Sequence, residues 1–293
     1  STPLYSSAAS DVYKRQAMEL SIGGESRPGV STECDSCHNV GTRPATNGRT
    51  MHVLMRGDVR MANVVATAAT QPFFATLGAA SAARIMAMCE ASVCPRNTVI
   101  FEAGDSADNL YLVVEGKVKL TRSTTADDLT PRDSLLWLMG PSDMFGELSL
   151  VDGGTRSTTA TTVTRCSLLK TPGAQMRELV KGRHDVALAM LGRLSERLRR
   201  ADDNTAHFVS GDVPSRLAYT LLDLARRFGT ANPSTGHIVV RHDLTQHELA
   251  QAVGSSRETV NKALTDFAAR GWIAARPKVV TIMEPEKLAS RAN

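Results

Sequence analysis

Residues 243–272 read Asp-Leu-Thr-Gln-His-Glu-Leu-Ala-Gln-Ala-Val-Gly-Ser-Ser-Arg-Glu-Thr-Val-Asn-Lys-Ala-Leu-Thr-Asp-Phe-Ala-Ala-Arg-Gly-Trp. Local rules turn this stretch into two helices and a tight turn. Thr245 can N-cap the first helix, with Glu248 three residues on completing a capping box. Leu249, Ala250 and Val253 supply an apolar stripe at helical spacing. Gly254 ends that helix where a left-handed residue costs little. Ser255 and Glu258 repeat the capping-box spacing and predict the start of a second helix, with Val260, Leu264 and Phe267 on its buried face. Gly271 stops it, and Trp272-Ile273 opens an apolar return. Two helices about a short glycine turn match a helix-turn-helix.

The outer faces suit a DNA groove. Arg257 can grip a guanine edge bidentately, Glu258 can accept from a cytosine amine, and Asn261 and Lys262 lie on the same side. Thr245, Gln246, Ser255 and Ser256 stand near helix N-termini, where phosphate contacts are favourable. The plainer alternative is a helical hairpin with a solvated charged face. The capping pattern, the turn and the stripe together favour double-stranded DNA as partner.

The 293 residues allow about two domains at ~150 residues each. A net charge of +4 is too mild to identify a nucleic-acid binder alone. No apolar run approaches the ~20 residues of a membrane span, and no signal peptide stands out, so a cytoplasmic protein without a membrane partner is expected. The five cysteines (Cys34, Cys37, Cys89, Cys94 and Cys166) are an odd count, which argues against a complete disulfide framework. Residues 1–60 lack a sustained period and are expected to be a disordered or artefactual N-terminal extension, with Met51, Met55 or Met61 as natural starts.

From Gln71 the texture changes. Pro72 to Met88 reads as one or two short helices, followed by short strands at Val99–Phe101, Leu110–Val114, Val118–Leu120, Leu135–Met139, around Phe145, Ala160–Val163 and Cys166–Leu169. Short strands with glycine turns predict an antiparallel β-roll over 71–172. A helical segment follows over 173–210. Leu188, Leu191, Leu194 and Leu198 mark a long helix able to form a two-stranded coiled coil, with Arg193, Arg197, Arg199 and Arg200 on its other faces. Gly211-Asp212-Val213-Pro214 reads as a hinge. Residues 211–293 then form a winged helix-turn-helix, closed by a hairpin at Val279–Ile282. The expected class is α+β.

A second constellation lies in the roll: Phe145-Gly146-Glu147-Leu148-Ser149-Leu150, then Thr155-Arg156-Ser157. Gly146 permits a close backbone approach. Glu147 can accept from a hydroxyl pair such as a ribose. Arg156 carries a donor fork suited to phosphate, and Ser157 can complete an anion nest.

With these motifs in this order, residues 71 to 290 resemble the cyclic-AMP receptor protein and FNR family of bacterial transcription factors, the actinobacterial cyclic-AMP branch above all. The resemblance rests on Gly140 to Ser149, Asp212 to Arg216, Asp243 to Gln246, Ser256 to Lys262 and Arg270 to Ile273. It implies cyclic AMP as effector, held by Gly146, Glu147 and Leu148 at the ribose and by Arg156 and Ser157 at the phosphate. It also implies a homodimer through the long helix, a palindromic operator read by Arg257, Glu258 and Lys262, and contact with RNA polymerase. No resident cofactor or metal is expected. In the family a Thr followed by Ser or Asn on the dimer helix meets the adenine; here Ala201 and Asp202 stand there, leaving Asp202 as the candidate acceptor for an exocyclic amine. Losing one such hydrogen bond costs roughly 1–3 kcal/mol.

Two other classes bear on this sequence. Cys34-x-x-Cys37 has metal-ligand spacing, and the FNR branch holds an iron–sulfur cluster through N-terminal cysteines plus one in the roll, so a redox-sensing regulator using Cys34, Cys37 and other cysteines is the alternative. A buried, inert Cys166 is the reading favoured here. Catalysis finds no support in nucleophile–base spacing or nucleotide-binding fingerprints; His207, His237, His242 and His247 are scattered and read as surface residues.

Overall fold

The computed structural model describes residues 63–125 and 131–292 together with Met61; residues 1–60, with Cys34 and Cys37, lie outside the described part. The chain opens with α1 (63–69), α2 (Pro72–Ala75) and α3 (Ala79–Met88). Two antiparallel sheets follow. One runs β1 (Glu90–Cys94), β8 (Cys166–Pro172), β3 (Asn109–Glu115), β6 (Met144–Phe145) in spatial order. The other runs β2 (Val99–Phe101), β7 (Thr159–Thr162), β4 (Val118–Thr125), β5 (Pro131–Met139). Their inner faces enclose Phe101, Val113, Leu120, Phe145, Ala160 and Leu168. The β3–β4 hairpin turns at Gly116, with φ +90. A Cβ there would sit 2.4 Å from the Arg165 carbonyl oxygen, so glycine is required.

The roll begins earlier than Gln71. Helix α1 buries Val64 and Ala68 against Leu110, Leu112 and Met144, in one cluster with Phe73, Phe74 and Ile85. Strand β1 was not expected either. Its Glu-Ala-Ser-Val-Cys lacks a clear two-residue alternation, and it exists because β8 offers an edge along Glu90 to Cys94.

After the short helix α4 (Leu148–Asp152) and the strands β7 and β8 come α5 (Gly173–Gly182) and α6 (His184–Ser210). Val186 and Met190 bury one face of α6 against the roll, while Leu188, Leu191 and Leu198 remain 69%, 58% and 62% exposed. Asp212 caps α7 (Val213–Phe228), accepting from the Ser215 amide at 2.9 Å and from Arg291 at 2.6 and 2.7 Å. The hinge is therefore shorter than the Gly211–Pro214 expected: Val213 and Pro214 already belong to the helix, where proline is tolerated in the first turn.

The C-terminal unit contains β9 (Gly229–Ala231), β10 (Ile238–Arg241), α8 (Gln246–Val253), α9 (Arg257–Ala269), β11 (Ile273–Arg276), β12 (Val279–Ile282) and α10 (Pro285–Ala292). Its sheet order is β11-β12-β10-β9, the wing of a winged helix. Leu217, Leu221, Leu249, Val260, Phe267 and Leu288 form its core, which continues into Leu135, Leu138 and Val163 of the roll. His242 is a correction. It is 4% exposed, and its Nδ1 accepts from the Leu244 amide at 3.2 Å, so it is a buried neutral imidazole rather than a surface residue. Burial pushes its pKa down to about 4.

Candidate effector site and nucleic-acid interface

Three of the six residues expected at the effector site come together in the roll. Gly146 leaves β6 with φ +80, and a Cβ there would meet Arg156 Nη1 at 2.6 Å. This glycine lets the guanidinium lie against the backbone. Arg156 is 4% exposed. It donates to the Gly146 carbonyl at 2.9 Å and to the Asn109 carbonyl at 2.5 Å, and its guanidinium lies 4.3 Å from the Phe101 ring centroid. Burial lowers its pKa, opposed by Tyr111 and the Asp108 and Asp105 carboxylates, but a guanidinium stays charged.

Glu147 is 3% exposed. Its Oε1 accepts from Arg197 at 2.5 Å, while Oε2 is buried with no hydrogen-bond partner among the described residues. Burial pushes its pKa up, against the pull of Arg197 and Arg156. A buried carboxylate oxygen with no donor carries a desolvation cost that a hydroxyl ligand removes. Arg156 Nε is orphaned in the same way.

Arg197, expected on a face of α6 other than the leucine stripe, faces the roll. It lies seven residues beyond Met190 and eleven beyond Val186, on the buried face of α6, and that spacing was the available signal. Its guanidinium also lies 5.3 Å from the Trp137 ring centroid, with that of Arg200 at 5.8 Å. The other three expected residues are not gathered at this point. Leu148 is 45% exposed and Ser157 is exposed. Asp202 points to solvent, while Ala201 lines a cavity beside β5, because neighbours on a helix diverge by about 100°.

The DNA reader forms as its local chemistry demands, with one shift. Thr245 Oγ1 accepts from the Glu248 amide at 3.2 Å, and Glu248 Oε2 accepts from the Thr245 amide at 2.7 Å, so the capping box is complete. Gly254 takes φ +66. Ser256, not Ser255, caps α9 and accepts from the Thr259 amide at 3.2 Å. The cap moved because the Ser255 amide is still occupied by the Ala250 carbonyl, closing the first helix. Glu258 consequently sits in the first turn without completing a second box. Arg257, Glu258 and Lys262 are exposed, and neither Arg257 nor Lys262 is in an ion pair among the described residues. Asn261 donates to Gln246 Oε1 at 3.2 Å, tying the two helices together, and its own Oδ1 is buried without a donor.

The reader is docked on the roll through charges unforeseen from sequence. Lys117 Nζ lies 2.5 Å from Asp243, Lys119 Nζ 2.7 Å from Glu248, and Arg227 2.8 Å from Asp143. Arg227 also donates to the Leu138 carbonyl. Glu248 thus caps the reader with one oxygen and binds the roll with the other. Burial pushes its pKa up, but the bonds from Lys119 and Thr245 outweigh this and hold it below the ordinary range.

Cys166 is fully buried, its Sγ donating to the Lys117 carbonyl at 3.1 Å, and burial pushes its thiol pKa up. Among the described residues no three His, Cys, Asp or Glu side chains are grouped to hold a metal. No described helix is long and apolar enough to cross a membrane.

Residues 92–183 match the cyclic nucleotide-binding domain, and residues 215–291 match the Crp-like helix-turn-helix domain. The chain is 46% identical over 198 residues to the CRP-like cAMP-activated global transcriptional regulator of Mycobacterium tuberculosis, covering 68% of this chain and 86% of that protein. It is 35% identical over 191 residues to the cyclic AMP receptor protein of Thermus thermophilus, covering 65% and 82%. The structure of FixK2 from Bradyrhizobium japonicum superposes with a TM-score of 0.62 at 18% identity, over 70% of this chain and 98% of that one, a likeness of fold.

Proposed function

The chain belongs to the cyclic-AMP receptor protein and FNR family of transcription regulators, and from that premise we propose that its effector is cyclic AMP and its working form a homodimer on a palindromic operator. It is a DNA-binding regulator controlled by a cyclic nucleotide. The observation that carries the effector assignment is that Glu147 Oε2 and Arg156 Nε are both buried without a hydrogen-bond partner among the described residues, in side chains near enough for their charges to interact. One accepts from a ribose hydroxyl; the other belongs to a fork that suits a phosphodiester.

The dimer reading is supported by Leu188, Leu191 and Leu198, which form one exposed stripe along α6 at coiled-coil spacing. Pairing two copies there sets two α9 helices on one duplex, and two-fold symmetry in the protein calls for a palindromic site. Nucleotide bound at Glu147 competes for or adds to the Arg197 contact. It thereby acts on α6, which carries the reader at its far end. Phe208, near that end, touches Gly254 at the reader's turn, and Arg216 donates to the Gly254 carbonyl at 3.3 Å. The partner beyond DNA is RNA polymerase, in the cytoplasm, and no catalytic step is assigned to the chain.

The test is operator affinity with and without cyclic AMP at one stated salt concentration, since salt alone changes such values. Tighter binding with nucleotide, together with calorimetric heat of binding, is expected. No heat and no change in DNA affinity sinks the effector assignment. Sedimentation of Leu191→Lys against the parent tests the dimer; a variant that stays dimeric would remove the α6 interface.

A further inference from the structure

Trp137 of β5 stands beside the candidate effector site, under the guanidinium that Glu147 holds. Register places it. Phe101 pairs with Ala160, Ala160 with Leu120, and Leu120 with Trp137, in a single row across β2, β7, β4 and β5. Directly paired residues point to the same face, so this row lines the inside of the roll. Three strand spacings separate its ends by about 14 Å. At one end Arg156 lies over Phe101. At the other, Trp137 lies beneath Arg197 and Arg200. Arg197 bridges the ends through Glu147. The order in space is phosphate cation, hydroxyl acceptor, aromatic plane.

The wall opposite Trp137 is α6. There the side chain of Ala201 offers no polar atom, and Asp202 is exposed. Trp137, Arg200 and Ala201 line a cavity of about 460 Å³ that continues between β5, α6 and the reader, past Thr205 and Tyr219. It leaves open space against the indole beside Arg200 and Ala201. Aromatic stacking tolerates any base because every base has a π-face, whereas hydrogen bonds to base edges discriminate. Arg200 has donors only, which suit the O6 and N7 acceptors of guanine as well as the N7 of adenine.

We propose that Trp137 is the base platform of the effector site: the nucleotide's base stacks on the indole under Arg200 and Ala201, so that purine identity is read weakly and cyclic AMP and cyclic GMP both bind. This rests on the assignment of the roll as a cyclic-nucleotide site. The observations independent of that assignment are the buried unpartnered Glu147 Oε2 and the cavity beside the ring.

The experiment is calorimetry of both nucleotides against the parent, Trp137→Leu and Trp137→Phe, with thermal melting of each protein as a fold control. The parent is expected to bind the two nucleotides within about tenfold of each other. Leu, which keeps apolar bulk but no π-face, is expected to weaken both by about ten- to a hundredfold, and Phe by less than about threefold. The protein has two tryptophans, and Trp272 stacks on Phe267 in the winged unit, so a Trp272→Phe background leaves Trp137 as the sole indole reporter. Its emission is expected to be quenched on saturation by either nucleotide. Nucleotide binding that is unchanged in Trp137→Leu, or that leaves Trp137 emission untouched, overturns the platform while the effector site stands. A parent that prefers cyclic AMP by more than a hundredfold also overturns it. A parent that binds neither nucleotide overturns both assignments.

Discussion

In the DNA reader, side chains find partners close along the chain: Thr245 meets Glu248 three residues away, and Gln246 meets Asn261 fifteen residues away. In the effector site, Arg156 reaches back 47 residues to Asn109, and Glu147 is joined to Arg197 across 50. On its outer face the reader keeps Arg257 and Lys262 exposed and outside any ion pair among the described residues, ready for a polyanion. The roll buries its cation and its carboxylate, leaves one polar atom of each unsatisfied, and so holds the cost of desolvation until a ligand arrives. One region is a preformed surface and the other an incomplete interior. A switch needs both: a reader that is always built, and a sensor whose occupancy changes an energy balance.

That contrast predicts where substitutions hurt. The largest effect is expected at Arg156→Ala, which removes the buried guanidinium proposed to meet the phosphate. Cyclic-nucleotide affinity should fall by at least about a hundredfold, roughly 3 kcal/mol or more, with little change in non-specific DNA binding. Calorimetry and gel shift on the same sample check it, and near-parental nucleotide binding would falsify the buried-anchor assignment.

Arg257→Ala acts at the surface and should cost about 2 kcal/mol of operator binding, with relaxed choice at one base pair. A binding-site selection that returns the parental consensus contradicts the placement of α9 in the groove. Acid supplies a perturbation of similar size inside the reader. His242 is held at about 4, below its ordinary 6.5, so between these values the unfolded chain binds the proton more readily. Stability therefore falls as pH drops through this window, by about 2 kcal/mol at pH 5. Melting curves at pH 7 and pH 5 should show it, and a His242→Gln variant should lose most of that pH dependence.

The smallest effect is expected at Lys119→Ala. It cuts one half-buried ion pair between roll and reader, worth about 1 kcal/mol, and leaves the capping box intact. Reader docking should loosen while intrinsic groove contacts persist. Hydrogen exchange in 243–254 should rise in the variant without a loss of non-specific DNA affinity; unchanged exchange removes Lys119 from the docking interface.

Much of this was legible beforehand. The order of roll, long helix and winged unit followed from short apolar runs, heptad-spaced leucines and turn glycines. Gly146, Glu147 and Arg156 were picked out by their chemical types, and the structure brings them together. Departures from expectation arose where a bond or a packing surface that the local pattern does not display decided the outcome. Ser255 yielded the cap to Ser256 because its amide was already engaged. His242 was drawn inside by the packing around Leu244. Residues 63–69 joined the roll because Val64 and Ala68 had a surface to cover. Asp202, adjacent in sequence to a cavity-lining residue, faces the other way.

Sequence alone determined the elements whose energetics close within about one helical turn or one hairpin: the capping box at Thr245–Glu248, the left-handed Gly254, the turn at Gly116 and the leucine stripe of α6. Their hydrogen bonds and side-chain periods span only a few residues, so the local string contains both partners. Tertiary structure alone decided that Arg197 meets Glu147, that Lys117 and Lys119 hold the reader to the roll, and that Trp137 shares one row with the ring beneath Arg156. Those pairings depend on strand register and on which face of a helix is buried. They are settled only when water is excluded from between segments some thirty-five to a hundred and thirty residues apart.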